Sequence, residues 1–355
     1  MDNTDLNSLK SLLALLDVPA FYIKNGNILC VNREAEKQLL HEGPADALLA
    51  SLDAEENHVL STELAGKVRT LSCKSFEGGL LCQLAPEQES TVTADYLDII
   101  SGEIRKPLGE LMMALDRMYP MLPRSEQTAE SAGQAQRNAY RLLRLASQLN
   151  AGSRVKNGSW QLSRRDTELC AWLEQLAMQA EDLFSYSTVK FRFSGLTTPF
   201  VGGADLEKLE RAIWNLLSNA LLHAPEGSTV SLEARRSGQQ LILSVSDEAG
   251  GVRGTLDSSV FSHDTERTGL EDAKDGLGFG LSIVRACAEL HGGSVLLSAK
   301  KEGGTTVVLS VLVSEPGTEA HSASLSFDYS GGIHHGLLEL SDALDSAAFC
   351  PEELS

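Results

Sequence analysis

The spacing of apolar residues changes character along the chain, and each change marks a different kind of unit. A helical stretch over Leu6–Leu16 leads into Ala20-Phe-Tyr-Ile23, then Asn25-Gly26, then Ile28-Leu-Cys-Val31. That order predicts a strand, a type I′ turn and a second strand, with Asn32 placed to cap a helix over Arg33–His41. Two further apolar stretches, Val68–Cys73 and Gly79–Leu84, can complete a small sheet. From Thr93 to Met118 the period becomes helical, with Leu97, Ser101, Ile104, Leu108, Leu111, Leu115 and Met118 stepping by four and three. Pro120 and Pro123 break this run, Ser125 can cap a second helix, and Asn138, Leu142, Leu145 and Leu149 carry the same spacing to Asn150-Ala-Gly152. Two helices with so narrow an apolar face predict a hairpin that completes a four-helix bundle by dimerising.

From Trp160 to about Val313 the pattern is mixed. Asp166 or Thr167 can cap a helix through Ala180, Val189–Phe193 reads as a strand, and Asp205 can cap a helix over Leu206–His223. Two strand pairs follow, Thr229–Ala234 with Gln240–Ser246 and Ser294–Ala299 with Thr305–Val313, each around a glycine-bearing turn. Between them lie a long Gly- and Asp-rich loop, 247–275, and a helix from Gly278 to His291. A loop of that length inside a compact unit is usually a lid or binding element.

Charge narrows the choice of partners. Among 355 residues there are 30 Lys and Arg against 49 Asp and Glu, a net charge of −19, which argues against nucleic acid and anionic membranes. Eight of the acidic residues fall after Val313, where there is no Lys or Arg, so 314–355 reads as a flexible or loosely docked acidic tail. The six cysteines show no C-x-x-C pair or zinc spacing. The opening residues, MDNTDLNSLK, lack a signal-peptide layout and no apolar run is long enough to span a bilayer, so no membrane span and a cytoplasmic location are expected.

Three stretches carry candidate chemistry. In Asp275–Gly293, DGLGFGLSIVRACAELHGG, Gly276, Gly278 and Gly280 precede an amphipathic helix, where backbone N–H groups and the helix dipole favour a phosphate chain. In LERAIWNLLSNALLHAPEG, Asn215 and Asn219 stand four apart on one helical face, and carboxamides so placed can ligate a hard cation and bond a phosphate. In LILSVSDEAGGV, Asp247 ends a strand beside Gly250 and Gly251, an acceptor suited to an adenine amino group.

Together, in this order, the three stretches resemble the ATP-binding domain of the histidine kinases and their GHKL relatives. The resemblance implies a Bergerat-type α/β sandwich binding ATP and magnesium. Asn215 and Asn219 would form the asparagine box, with Asn219 on the metal. Asp247 and Gly251 would form the first glycine box, Phe261 the lid phenylalanine, and Gly276, Gly278 and Gly280 the second glycine box. Two positions depart from the family: Ala249 stands where the first glycine box normally has Gly, and Leu222 where a basic residue often reaches the phosphates.

The first hairpin helix also resembles a family element. IISGEIRKPL, 99–108, follows the phosphoacceptor pattern S-H-E-x-x-x-P-L at Ser101, Glu103, Pro107 and Leu108. The acceptor histidine falls at Gly102, Lys106 replaces the usual Thr or Asn, and no histidine occurs between 59 and 222. Glu103, the family's general base, is then idle. GNILCVNREAEKQLL resembles a PAS-type sensor domain, and a ligand-free α+β module is the alternative.

The expected fold class is α+β multidomain: a PAS-like unit over 1–86, a dimerisation hairpin over 93–152, an ATP-binding domain over 160–313 and the acidic tail. The implied function is histidine-kinase-like signalling in a two-component system, with autophosphorylation lost at Gly102. Expected partners are a second copy or a related kinase, and a response regulator. The alternatives are a kinase acting on a partner's His or Ser, in the manner of anti-sigma kinases, and a nucleotide-free dimerisation scaffold.

Overall fold

The computed structural model describes residues 9–11, 13–16, 18–37, 43–45, 47–64, 67–84, 94–123, 125–156, 158–248, 279–299, 304–317 and 334–350. In the N-terminal unit, β1 (Ala20–Lys24) and β2 (Asn27–Val31) form an antiparallel hairpin. Asn25 and Gly26 at its tip have φ of 50° and 71°, the left-handed pair that a type I′ turn requires. Asn32 then caps α1 (Arg33–Glu36), accepting at Oδ1 from Ala35 N at 2.9 Å and from Ala20 N at 3.0 Å. Its Nδ2 donates to the carbonyls of Leu13, Leu16 and Val18, so one buried carboxamide ties the entry segment to the sheet.

After β3 (Gly43–Pro44) and α2 (Ala47–Ala50) come β4 (Asn57–Leu64), β5 (Lys67–Phe76) and β6 (Gly79–Leu84). Strand β4 is not announced by an alternating pattern. Its central residues Val59 and Leu60 are both fully buried, on opposite faces of the sheet, and a strand covered on both sides has no polar face to alternate with.

The hairpin consists of α3 (Ala94–Met118) and α4 (Glu126–Lys156), joined by a short 3₁₀ turn at Tyr119–Met121. Ser125 Oγ accepts from Thr128 N at 3.1 Å, capping α4 as expected. The helix runs beyond Asn150–Gly152, because Ala151, Gly152 and Ser153 are buried and their packing outweighs the roughly 1 kcal/mol helix cost of glycine.

The α/β unit contains β7 (Arg165–Glu168), α5 (Leu169–Phe184), β8 (Lys190–Ser194), β9 (Val201–Ala204), α6 (Leu206–His223), β10 (Thr229–Ser237), β11 (Gln240–Ser246), α7 (Phe279–Leu290), β12 (Ser294–Ala299) and β13 (Thr305–Leu312). Asp166 and Thr167 do not cap α5. Both lie in β7, paired with Gly203 and Gly202 of β9, and Glu168 is the cap, accepting from Cys170 N and Ala171 N. Asp205 caps α6 as expected, through Lys208 N at 3.2 Å. Val230, Leu232, Leu241, Leu243, Val295, Leu309 and Val311 form one apolar sheet face that shares a core with Leu173, Leu176, Ile213, Leu217, Ile283 and Val284 of the helices.

Two features depart from a chain of separate units with a loose end. First, β4 pairs antiparallel with β12 over Asn57–Ser61 and Val295–Ala299, so the N-terminal sheet continues into the α/β sheet as eleven strands in the order β3-β2-β1-β6-β5-β4-β12-β13-β11-β10-β8. An edge strand carries unpaired N–H and C=O groups, and each unit here satisfies the other's. His58, buried in this seam, lies 2.9 Å from Ser298 Oγ and 2.7 Å from Asp53 O. Second, the expectation of a loosely docked tail does not hold for 334–350. This segment forms α8 (His335–Leu340) and a 3₁₀ turn (Ser346–Phe349), and buries Leu337, Leu338, Leu340, Leu344 and Phe349. The amphipathic spacing of these residues supplies the apolar area that its acidic composition disguised.

Candidate nucleotide site

Helix α6 places both candidate asparagines. Its start is fixed by Asp205, whose Oδ2 accepts from Ser163 N and Lys208 Nζ, each at 2.7 Å, and whose backbone N donates to His291 Nε2 at 3.1 Å. His291 stands just past α7, and its Nδ1 donates to Cys287 O at 2.8 Å. The ring is therefore the neutral Nδ1–H tautomer, and burial pushes its pKa below the usual histidine value. This contact joins the beginning of α6 to the end of α7 and so sets the two helices side by side.

Ten residues into α6, Asn215 is fully buried and donates from Nδ2 to Arg211 O at 2.8 Å. Its Oδ1, equally buried, has no hydrogen-bond partner among the described residues. Gly280, the second residue of α7, faces it. A Cβ at Gly280 would stand 3.0 Å from Asn215 Oδ1 and 3.6 Å from Asn219 Nδ2. Gly280 in the first turn of α7 thus faces the asparagine side of α6, with the half-buried Asn219 one turn further on. A buried carbonyl oxygen without a donor costs about 1–3 kcal/mol, so the arrangement fits a site that a cation, water or ligand polar group completes.

Asp247 follows the last residue of β11. Its backbone N donates to Thr305 O at 3.0 Å and its Oδ1 accepts from Thr305 N at 3.1 Å, which holds the carboxylate at the strand end. Gly304 makes this clasp possible: its φ is +102°, and a Cβ there would come within 2.6 Å of Asp247 O. Neither Gly304 nor Thr305 was singled out by the sequence as a site residue: Gly304 reads there as a hairpin turn residue and Thr305 as the start of a strand. Gly251, Phe261, Gly276 and Gly278, together with Ala249, lie outside the described residues. Leu222 is half-buried near the end of α6.

The hairpin position is far simpler. Gly102 is exposed on α3, and a Cβ there would meet nothing within 4 Å. Glu103 beside it is exposed, so no packing demand explains the glycine. Among the described residues no group of His, Cys, Asp or Glu is arranged to hold a metal ion, and no helix is long and apolar enough to cross a membrane.

Residues 204–315, which span α6, the glycine-bearing turn of α7 and strands β10–β13, match the family of histidine kinase-, DNA gyrase B- and HSP90-like ATPases. These residues therefore form an ATPase domain of the histidine kinase type, and the curated proteins this chain resembles are sensor histidine kinases. Among curated relatives, the sensor protein KdpD of Mycobacterium tuberculosis is 27% identical over 280 residues, covering 75% of this chain and 31% of that protein. The histidine protein kinase DivJ of Caulobacter vibrioides is 27% identical over 262 residues, covering 71% and 43%. The chain therefore spans less than half the length of these sensor kinases. Full-length ShkA in complex with AMPPNP superimposes with a TM-score of 0.51 at 21% identity, over 64% of this chain and 47% of that one, a likeness of fold.

Proposed function

We propose that the chain is a histidine-kinase-like signalling protein that binds ATP with magnesium in residues 160–313, dimerises through 93–152, and does not phosphorylate its own hairpin. The observation that carries the nucleotide reading is the meeting of Asn215 and Gly280: a buried carbonyl without a donor among the described residues, facing a position where only a hydrogen fits comfortably. Asn219 on the same helical face would hold magnesium, which supplies positive charge to neutralise the phosphates. Asp247, pinned by Thr305, supplies the carboxylate that selects adenine. Gly251, Phe261, Gly276 and Gly278 complete the cradle in this reading.

The loss of self-phosphorylation rests on Gly102. Phosphoryl transfer needs a nucleophile held near the γ-phosphate, and the matching position offers none. The open space around it supports a position free to lose its side chain without structural consequence. Signalling then proceeds through conformation, with 1–86 as a PAS-like input and a related kinase or a response regulator as the cytoplasmic partner. The dimer reading draws support from Ile104, Leu111 and Leu142, which are 40%, 48% and 51% exposed on the hairpin.

A calorimetric titration with ATP, with and without magnesium, tests the site; no heat at millimolar ATP would leave the nucleotide-free scaffold standing instead. Labelled ATP should leave no acid-labile phosphate on the native hairpin. The Gly102→His variant should acquire some, and label on the native chain would mean that another residue is the acceptor.

A further inference from the structure

Residues 334–350 lie in a groove bounded by both the hairpin and the ATPase domain. On the ATPase side, a Cβ at Gly336 would come within 2.4 Å of Leu183 Cδ1 and 2.9 Å of Trp214, so the backbone of α8 is pressed against α5 and α6. His335 Nδ1 is 2.8 Å from Glu210 Oε1. On the hairpin side, a Cβ at Gly133 would meet Ser346 O at 2.4 Å, and the rings of Phe349 and Tyr140 are 5.3 Å apart.

Charge completes the fit. Arg137, Arg141 and Arg144 recur at helical spacing along α4 and meet the segment's acidic face. Arg137 donates to Ser341 O and Asp342 O at 3.1 and 3.2 Å, Arg141 Nε stands 2.6 Å from Asp342 Oδ1, and Arg144 pairs with Asp342 Oδ2. Glu339 is wholly buried between two units: Oε2 is 3.2 Å from Arg144 Nε of the hairpin and Oε1 is 3.7 Å from Arg211 Nε of α6. Arg144 and Arg211 are themselves buried and reach across the same seam, to Ser218 Oγ at 3.2 Å and to Ser147 O at 2.7 Å.

Two buried guanidinium groups contributed by different units repel one another, and a carboxylate set between them turns that repulsion into attraction. We propose that this groove is a docking site for an acidic amphipathic segment, filled by the chain's own residues 334–350, which clasp the ATPase domain to the hairpin with Glu339 as the bridging charge. The proposal does not depend on nucleotide binding. It concerns the arrangement of two units, and its occupant is recognised by two features together: carboxylates three residues apart that match the arginine row, and the apolar face of Leu337, Leu338, Leu340 and Phe349.

Hydrogen–deuterium exchange on the 355-residue chain, without nucleotide, tests it. In Glu339→Gln, which leaves Arg144 and Arg211 facing each other without the bridging carboxylate, the amides of α8 and of 137–147 should exchange at least tenfold faster, while those of β10–β13 keep their native rates. Adding Arg211→Gln removes one of the two like charges and should return α8 to within about threefold of native. Native protection of α8 in Glu339→Gln would overturn the clasp, as would loss of protection spread evenly over β10–β13. If Glu339→Gln does not fold, Asp342→Asn at the rim of the groove should show a smaller rise confined to the same two segments, and an unchanged pattern in that folded variant would overturn the proposal equally.

Discussion

Replacing Gly280 by alanine adds one methyl group where the two candidate asparagines meet, and its consequences can be worked from the structure. The added carbon would stand 3.0 Å from Asn215 Oδ1, closer than ordinary van der Waals contact, and 3.6 Å from Asn219 Nδ2. Asn215 cannot swing away at no cost, because its Nδ2 is held by Arg211 O at 2.8 Å. Against this crowding, alanine for glycine inside a helix contributes about 0.5–1 kcal/mol. The two effects nearly offset, so folding stability should change by less than about 1 kcal/mol, a Tm shift of a few degrees for a chain of this size. Binding has no such compensation. Satisfying a buried orphan carbonyl is worth about 1–3 kcal/mol, and a methyl group that shields Oδ1 withholds it from the ligand. At 1.4 kcal/mol per tenfold, Gly280→Ala should weaken ATP-magnesium binding by between about fivefold and a hundredfold. Calorimetry and thermal unfolding on one preparation would read both quantities. A variant that binds as tightly as the native chain would refute the assignment of Gly280 and Asn215 to the site, and a large drop in Tm would show that the methyl group damages packing instead.

Two further outcomes follow from single residues. His291 titrates below the usual histidine value because burial disfavours its charged form, and protonating Nε2 would also remove the acceptor for Asp205 N. The unfolded chain therefore binds more protons below about pH 6.5, so stability is fully present above that pH and declines as pH falls through and below it; an NMR titration placing this ring at or above its ordinary pKa would contradict the assignment. On the hairpin, Leu111 is 48% exposed, and burial of a large apolar side chain is worth about 1.5–3 kcal/mol when complete, so Leu111→Asp should raise the dimer dissociation constant at least tenfold by analytical ultracentrifugation. A native chain that sediments as a monomer at micromolar concentration would remove the dimer from the reading.

Local chemistry was legible wherever one residue governs its neighbours. Asn25-Gly26 dictated a turn because few other pairs adopt two consecutive positive φ angles. Asn32, Ser125 and Asp205 marked helix starts because each can accept from an N–H three residues on. Asn215 and Asn219 had to share a face once α6 was a helix, and Gly280 had to lie near the positive end of α7 once that helix began at Phe279. What remained hidden depended on partners distant in the chain. Val59 and Leu60 look like a short apolar step until β12 and both cores cover them, and Asp166 looks like a cap until β9 pairs with its strand. Glu339 is one acid among eight in a tail that composition alone marks as solvated. Only the fold brings Arg144 and Arg211, 195 and 128 positions away by chain number, to the same carboxylate, because burial and charge pairing are properties of the assembled surface rather than of any local run of residues.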